Sequence, residues 1–174
     1  PEITYTLPDY QTQCGCADIM MHTMERYFVL EDTMEITDKI AQDVMKNVMK
    51  YAKILKKDPE NYEARAEIMW CGSLSHNGLT GCGICGGDWA THLIEHELGG
   101  MFDVAHRAGL AAVWGSWARY VMDEKPERFA QFAVDVMGVE ESDDVKSTAL
   151  KGIEAVEEFY RMIEMPTNMK ELGI

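Results

Sequence analysis

The stretch from residue 37 to residue 57, TDKIAQDVMKNVMKYAKILKK, places apolar side chains at Ile40, Val44, Val48, Ala52 and Leu55. Steps of three and four residues put these on one side of a helix with 3.6 residues per turn. The same spacing returns at Val145, Ala149, Ile153, Val156, Tyr160 and Ile163. Outward from these two stretches, apolar residues recur at helical spacing along almost the whole chain, and alternating strand patterns are scarce. Helices are expected over about 11–31, 37–57, 61–79, 88–102, 105–122, 126–137 and 143–164. Thr37 and Ser142 are the expected N-caps of two of them, and Asp58-Pro59 and Gly138 the expected breaks. The segment 77–88 carries Gly78, Gly81, Gly83, Gly86 and Gly87 and reads as a loop. The class that follows is all-α, a bundle-like helical domain. The glycines before Asp88 follow a helix rather than a strand, which makes a phosphate-binding reading weak.

At 174 residues with 47% apolar character, the chain is expected to form one domain over residues 1–174. The net charge is −14, and residues 123–174 hold 13 acidic against 6 basic residues, read as a solvated helical face. This charge argues against nucleic acid or an anionic membrane as partner and for a small molecule or another protein. No apolar run approaches the roughly 20 residues needed to cross a bilayer, so a cytoplasmic location is expected. The chain begins at Pro1 rather than Met and is expected to start inside a longer gene product.

Four residues point to chemistry. Asp18 and His22 lie one helical turn apart, a two-ligand clip on one face, and His92 and His106 lie fourteen residues apart in the middle of the chain. One carboxylate and three imidazoles suit a borderline divalent ion such as iron(II) or zinc. His96 repeats the one-turn spacing from His92. A neighbouring reading is H-x-x-E-H over residues 92–96, the inverted zinc-peptidase signature, in which Glu95 would activate water and a distal carboxylate such as Glu157 or Glu158 would complete the site. That reading leaves Asp18 and His22 without a task. Cys14, Cys16, Cys82 and Cys85 could make a four-thiolate site, against the plainer expectation of five reduced thiols, Cys71 included. His76 reads as a helix-terminal hydrogen-bonding residue, and Met20, Met21 and Met24 as core filler.

Ile3 to Pro8, Asp18 to Phe28, Asp88 to Leu98, Phe102 to His106, Ala108 to Ala111, Pro166-Thr167 and Lys170 to Ile174 together resemble the iron-containing alcohol dehydrogenases, especially their butanol dehydrogenase branch. The resemblance implies a dehydroquinate synthase-like, two-domain enzyme with an N-terminal nucleotide-binding α/β domain and a C-terminal helical metal domain. This chain resembles only the second, and the first is expected to be absent. The implied metal ligands are Asp18, His22, His92 and His106, the four already chosen. The implied activity is NAD(P)-dependent interconversion of alcohols and aldehydes of the butanol/butanal type, with Fe2+ or Zn2+ as Lewis acid. His96 would face the substrate and cofactor cleft, where an imidazole could relay a proton. The partners implied are a small alcohol or aldehyde, the N-terminal domain and further copies of the chain in a homo-oligomer; without its first domain the chain is expected to be inactive. The non-enzyme alternative is a helical metal-binding or interaction module. Two departures from the family pattern stand out: Arg107, where Gly is usual, is expected to be a solvated surface residue, and Gly115 stands where Pro is usual.

Overall fold

The computed structural model of the chain describes residues 1–31, 34–84 and 86–174. Its regular structure is helical among these residues, with α1 Asp9–Tyr27, α2 Glu35–Leu55, α3 Tyr62–His76, α4 Ala90–Phe102, α5 His106–Val121, α6 Pro126–Asp135, α7 Val145–Met162 and α8 Met169–Leu172. Short 3-10 turns lie at Glu2–Thr4, Leu79–Gly81 and Met122–Glu124. The all-α class is as expected, and each of the seven expected helices is present with ends displaced by a few residues.

The caps differ from expectation. Thr37 lies inside the first turn of α2, and its hydroxyl donates 2.8 Å to the Cys82 carbonyl, tying the glycine-rich loop to that helix. At α7 the cap is Asp144, whose carboxylate accepts from the Ser147 amide at 3.0 Å. Ser142 instead donates to the Asp144 carbonyl, so the stronger acceptor takes the helix amide. Asn61 caps α3 through the Ala64 amide at 3.0 Å.

Helix α1 runs through the middle of the molecule. Met20, Met21 and Met24 are fully buried, in one apolar cluster with Val44, Met45 and Val48 of α2, Leu110 and Trp114 of α5, and Ile153 and Val156 of α7. The three methionines are therefore core residues, as read from the sequence. Phe28, just past α1, stacks on Phe129 of α6 at 4.3 Å between centroids. Helices α6 and α7 approach until a Cβ on Gly152 would lie 2.9 Å from the Ala133 Cα, so only glycine fits there. A buried bidentate pair links α6 to α2, with the Arg128 guanidinium 2.6 and 2.7 Å from the Asp38 oxygens. Arg128 Nε also donates 3.0 Å to the Tyr27 carbonyl, which closes the end of α1. No helix of the described residues is long and apolar enough to cross a membrane.

The loop before α4 sets the site. Gly78, Gly83, Gly86 and Gly87 all have positive φ. Gly87 is the position where this freedom is needed most, since a Cβ there would lie 2.9 Å from the Glu25 carbonyl. The next amide, of Asp88, donates to that same carbonyl at 2.9 Å. Trp89 follows at φ 63°, a left-handed conformation that a bulky residue pays for in strain, and α4 then begins against the side of α1.

Candidate metal centre

Asp18 and His22 face the same way from α1, with His22 Nε2 3.7 Å from Asp18 Oδ1. His92 is the third residue of α4, and His106 is the first residue of α5. The His92 ring stands 4.7 Å from that of His22 and 5.5 Å from that of His106. Asp18, His92 and His106 bring one ligand atom each within 4.8 Å of one another. The four residues chosen from the sequence thus meet at one place, where α1 passes the starts of α4 and α5.

Two carboxylates that the sequence reading did not use in this way orient the imidazoles. Glu25 Oε1 accepts from the His92 amide at 3.1 Å and lies 3.1 Å from His92 Nδ1. Glu95 Oε2 contacts His106 Nδ1. A carboxylate accepts, so each Nδ1 carries the proton and each Nε2 keeps its lone pair for the interior of the site. Room for Glu95 comes from Gly109 on α5, where a Cβ would lie 2.6 Å from Glu95 Cγ. Both glutamates are only 1% exposed. Neither forms an ion pair with a lysine or arginine among the described residues.

This donor set fits a divalent cation. Asp18 Oδ1 and His92 Nε2 are buried without a hydrogen-bond partner, a state that costs about 1–3 kcal/mol per group unless something supplies the missing charge. A cation held by Asp18, His22, His92 and His106 would satisfy those atoms and offset the buried charge of Glu25 and Glu95 through the imidazoles. Burial, and after it the adjacent His76 ring, push His22 down to about 4. It is therefore neutral at physiological pH, the form that binds metal.

His96 is exposed on α4, its ring 5.2 Å from His106 and 6.4 Å from His92. It stands at the open side of the cluster. The peptidase arrangement is disfavoured, because Glu95 is buried and engaged by His106 instead of facing a water between His92 and His96. Glu157 is held by Arg119 at 2.5 and 3.0 Å, so it supplies no distal ligand. Gly115 gives that carboxylate its place, since a Cβ there would overlap Glu157 Oε1. Cys14, Cys16 and Cys71 are buried free thiols; Cys82 is exposed, and Cys85 lies outside the described residues. Among the described residues no metal-binding group includes a cysteine.

Arg107 departs from expectation. It is not simply solvated, because its Nε donates to Asp18 Oδ2 at 3.1 Å and sets a permanent positive charge beside that carboxylate. His76 also lies within the cluster, its ring 3.9 Å from that of His22. Trp89 stands edge-on to His22 and His92 and accepts Arg26 on its face at 4.8 Å, which walls the cluster on the loop side. Of the residues around the four, Glu25 and Glu95 had a local sequence signal, each lying one helical turn beyond a histidine, His22 and His92 respectively.

Comparison with known proteins identifies the family and the fold. A sequence model described as "Fe-containing alcohol dehydrogenase family, C-terminal" matches residues 12–174. NADH-dependent butanol dehydrogenase A of Clostridium acetobutylicum is 35% identical over 175 residues, covering 100% of this chain and 45% of that protein. The NADPH-dependent aldehyde reductase YqhD of Escherichia coli is 34% identical, with 44% of its length covered. The chain thus spans less than half the length of the curated relatives it matches. Among solved structures, the substrate- and cofactor-free form of YqhD superposes with a TM-score of 0.95 at 32% identity, over 100% of this chain and 45% of that one. NADH-dependent butanol dehydrogenase A of Thermotoga maritima gives 0.95 at 37% identity, over 100% of this chain and 43% of that one.

Proposed function

The chain belongs to the iron-containing alcohol dehydrogenase family as its C-terminal part, and from this we propose that it is the helical metal-binding domain of an NAD(P)-dependent enzyme interconverting small alcohols and aldehydes. The observation that carries the reading is the convergence of Asp18, His92 and His106 within 4.8 Å, with Asp18 Oδ1 and His92 Nε2 buried and unpartnered. Asp18, His22, His92 and His106 hold the ion, Fe2+ or Zn2+. When bound, the ion supplies Lewis acidity toward the alcohol or aldehyde oxygen, and the nicotinamide cofactor of the intact enzyme supplies the hydride.

The residues of this chain do the rest. Glu25 and Glu95 fix the tautomers of His92 and His106, so that both Nε2 lone pairs are presented without reorganisation. His96, exposed beside His106, is placed to pass the substrate proton to solvent. Leu93, Ile94, Met101 and Phe102 form an exposed apolar face on the same helix. We assign that face to the N-terminal nucleotide-binding domain.

The test is metal analysis and butanal reduction by the purified full-length protein, with NADH and with NADPH. About one iron or zinc per chain and metal-dependent turnover are expected, and His106→Ala should lose most of the metal. Unchanged metal content in that variant would refute the ligand assignment. Residues 1–174 alone are expected to show no NAD(P)-dependent turnover.

A further inference from the structure

His76 is the last residue of α3, far in sequence from the ligands above, yet its Nε2 lies 3.8 Å from Asp18 Oδ2. Asp18, His22 and His76 each bring a ligand atom within 4.8 Å of the others, so Asp18 belongs to two triads. Two donors about 2.1 Å from one ion at tetrahedral angles lie about 3.4 Å apart. The 3.7 Å between His22 Nε2 and Asp18 Oδ1 and the 3.8 Å of His76 are close to that spacing.

The orientation of His76 is that of a ligand. Its Nδ1 is 2.9 Å from the Gly72 carbonyl and 2.7 Å from the Ser75 hydroxyl. A carbonyl can only accept, so Nδ1 carries the proton and Nε2 keeps a lone pair. That lone pair faces a carboxylate, and a cation shared between the two acceptors would stabilise their approach. The same backbone contact holds the ring as Glu25 and Glu95 hold His92 and His106. Arg107 takes one lone pair of Asp18 Oδ2, while Asp18 Oδ1 is buried with no hydrogen-bond partner, which leaves the carboxylate short of positive charge on this side.

We propose that His76 is a fifth protein ligand of the centre, so that an ion on Asp18 is offered imidazoles from α1, α3, α4 and α5. This rests on the metal-centre reading above and adds to it a donor from α3. An additional imidazole favours zinc and the later divalent metals.

The test uses metal-free full-length protein titrated with Zn2+ against a chromophoric chelator, as wild type, His76→Leu and His106→Ala. His76→Leu is expected to weaken zinc more than about tenfold, at least the loss typical of an orienting residue. In the Co2+-loaded wild-type protein, proton NMR should show four paramagnetically shifted imidazole N–H signals, and three in His76→Leu. The wild-type count needs no variant to fold and stands as an independent measure. Wild-type zinc affinity in His76→Leu and a wild-type count of three, with zinc lost in His106→Ala, would overturn the inference and leave the centre standing. Zinc weakened by His76→Leu but not by His106→Ala would support the α3 ligand and overturn the four-ligand reading; no change in either variant would overturn both.

Discussion

Replacing Glu25 by Gln tests whether the buried carboxylates belong to a metal centre. The isostere keeps an oxygen for the His92 amide and Nδ1, both 3.1 Å from Glu25 Oε1, and removes only the charge. In the metal-free protein that charge is 1% exposed, and its second oxygen has no partner. Neutralising it relieves a desolvation penalty while weakening two charge-assisted hydrogen bonds by about 1 kcal/mol each, so the stability of the apo protein should change little or rise. With metal the sign reverses. Loss of an orienting carboxylate lowers affinity about 10–100-fold, which is about 1.4–2.7 kcal/mol. At saturating zinc, that amount is lost from the stabilisation the ion provides. For a domain of this size, the rise in Tm on adding zinc should shrink by about 3–11 °C relative to wild type. The assay is thermal unfolding followed by circular dichroism, with and without zinc at fixed free concentration. An equal zinc-dependent rise in Tm for both proteins would refute the argument that Glu25 acts through His92 on an ion.

Arg107→Gly frees Asp18 Oδ2 and removes a cation 3.1 Å from it, so zinc should bind more tightly by calorimetric titration. Arg128→Met strips a guanidinium from the buried Asp38 carboxylate and the Tyr27 carbonyl, and urea unfolding should show a loss of about 3 kcal/mol. Burial pushes Cys16 up to about 12 and Cys71 up to about 11, and raises Cys14 as well. At pH 8 in the folded protein, these three thiols should resist alkylation and react only on denaturation, as read by peptide mass mapping.

The helical class was legible because helical periodicity is local: Ile40 to Leu55 and Val145 to Ile163 carry their apolar stripes whatever they pack against. The candidate ligands were legible for a similar reason, since Asp18 and His22 need only one turn of helix to become a pair, and few residue types bind a divalent ion. Thr37 and Ser142 were misread as caps because the choice among nearby acceptors depends on what else each must bond.

The sequence by itself determined an all-helical chain carrying one acidic and three imidazole donors. Only the tertiary structure decided that Glu25 and Glu95 turn His92 and His106, that Arg107 reaches Asp18, and that His76 arrives beside His22. The physical reason is that those contacts join side chains on different helices. Their meeting depends on how α1 lies against α3, α4 and α5, and on a glycine-rich loop that lets Gly87 touch the backbone of Glu25. No local pattern encodes that approach.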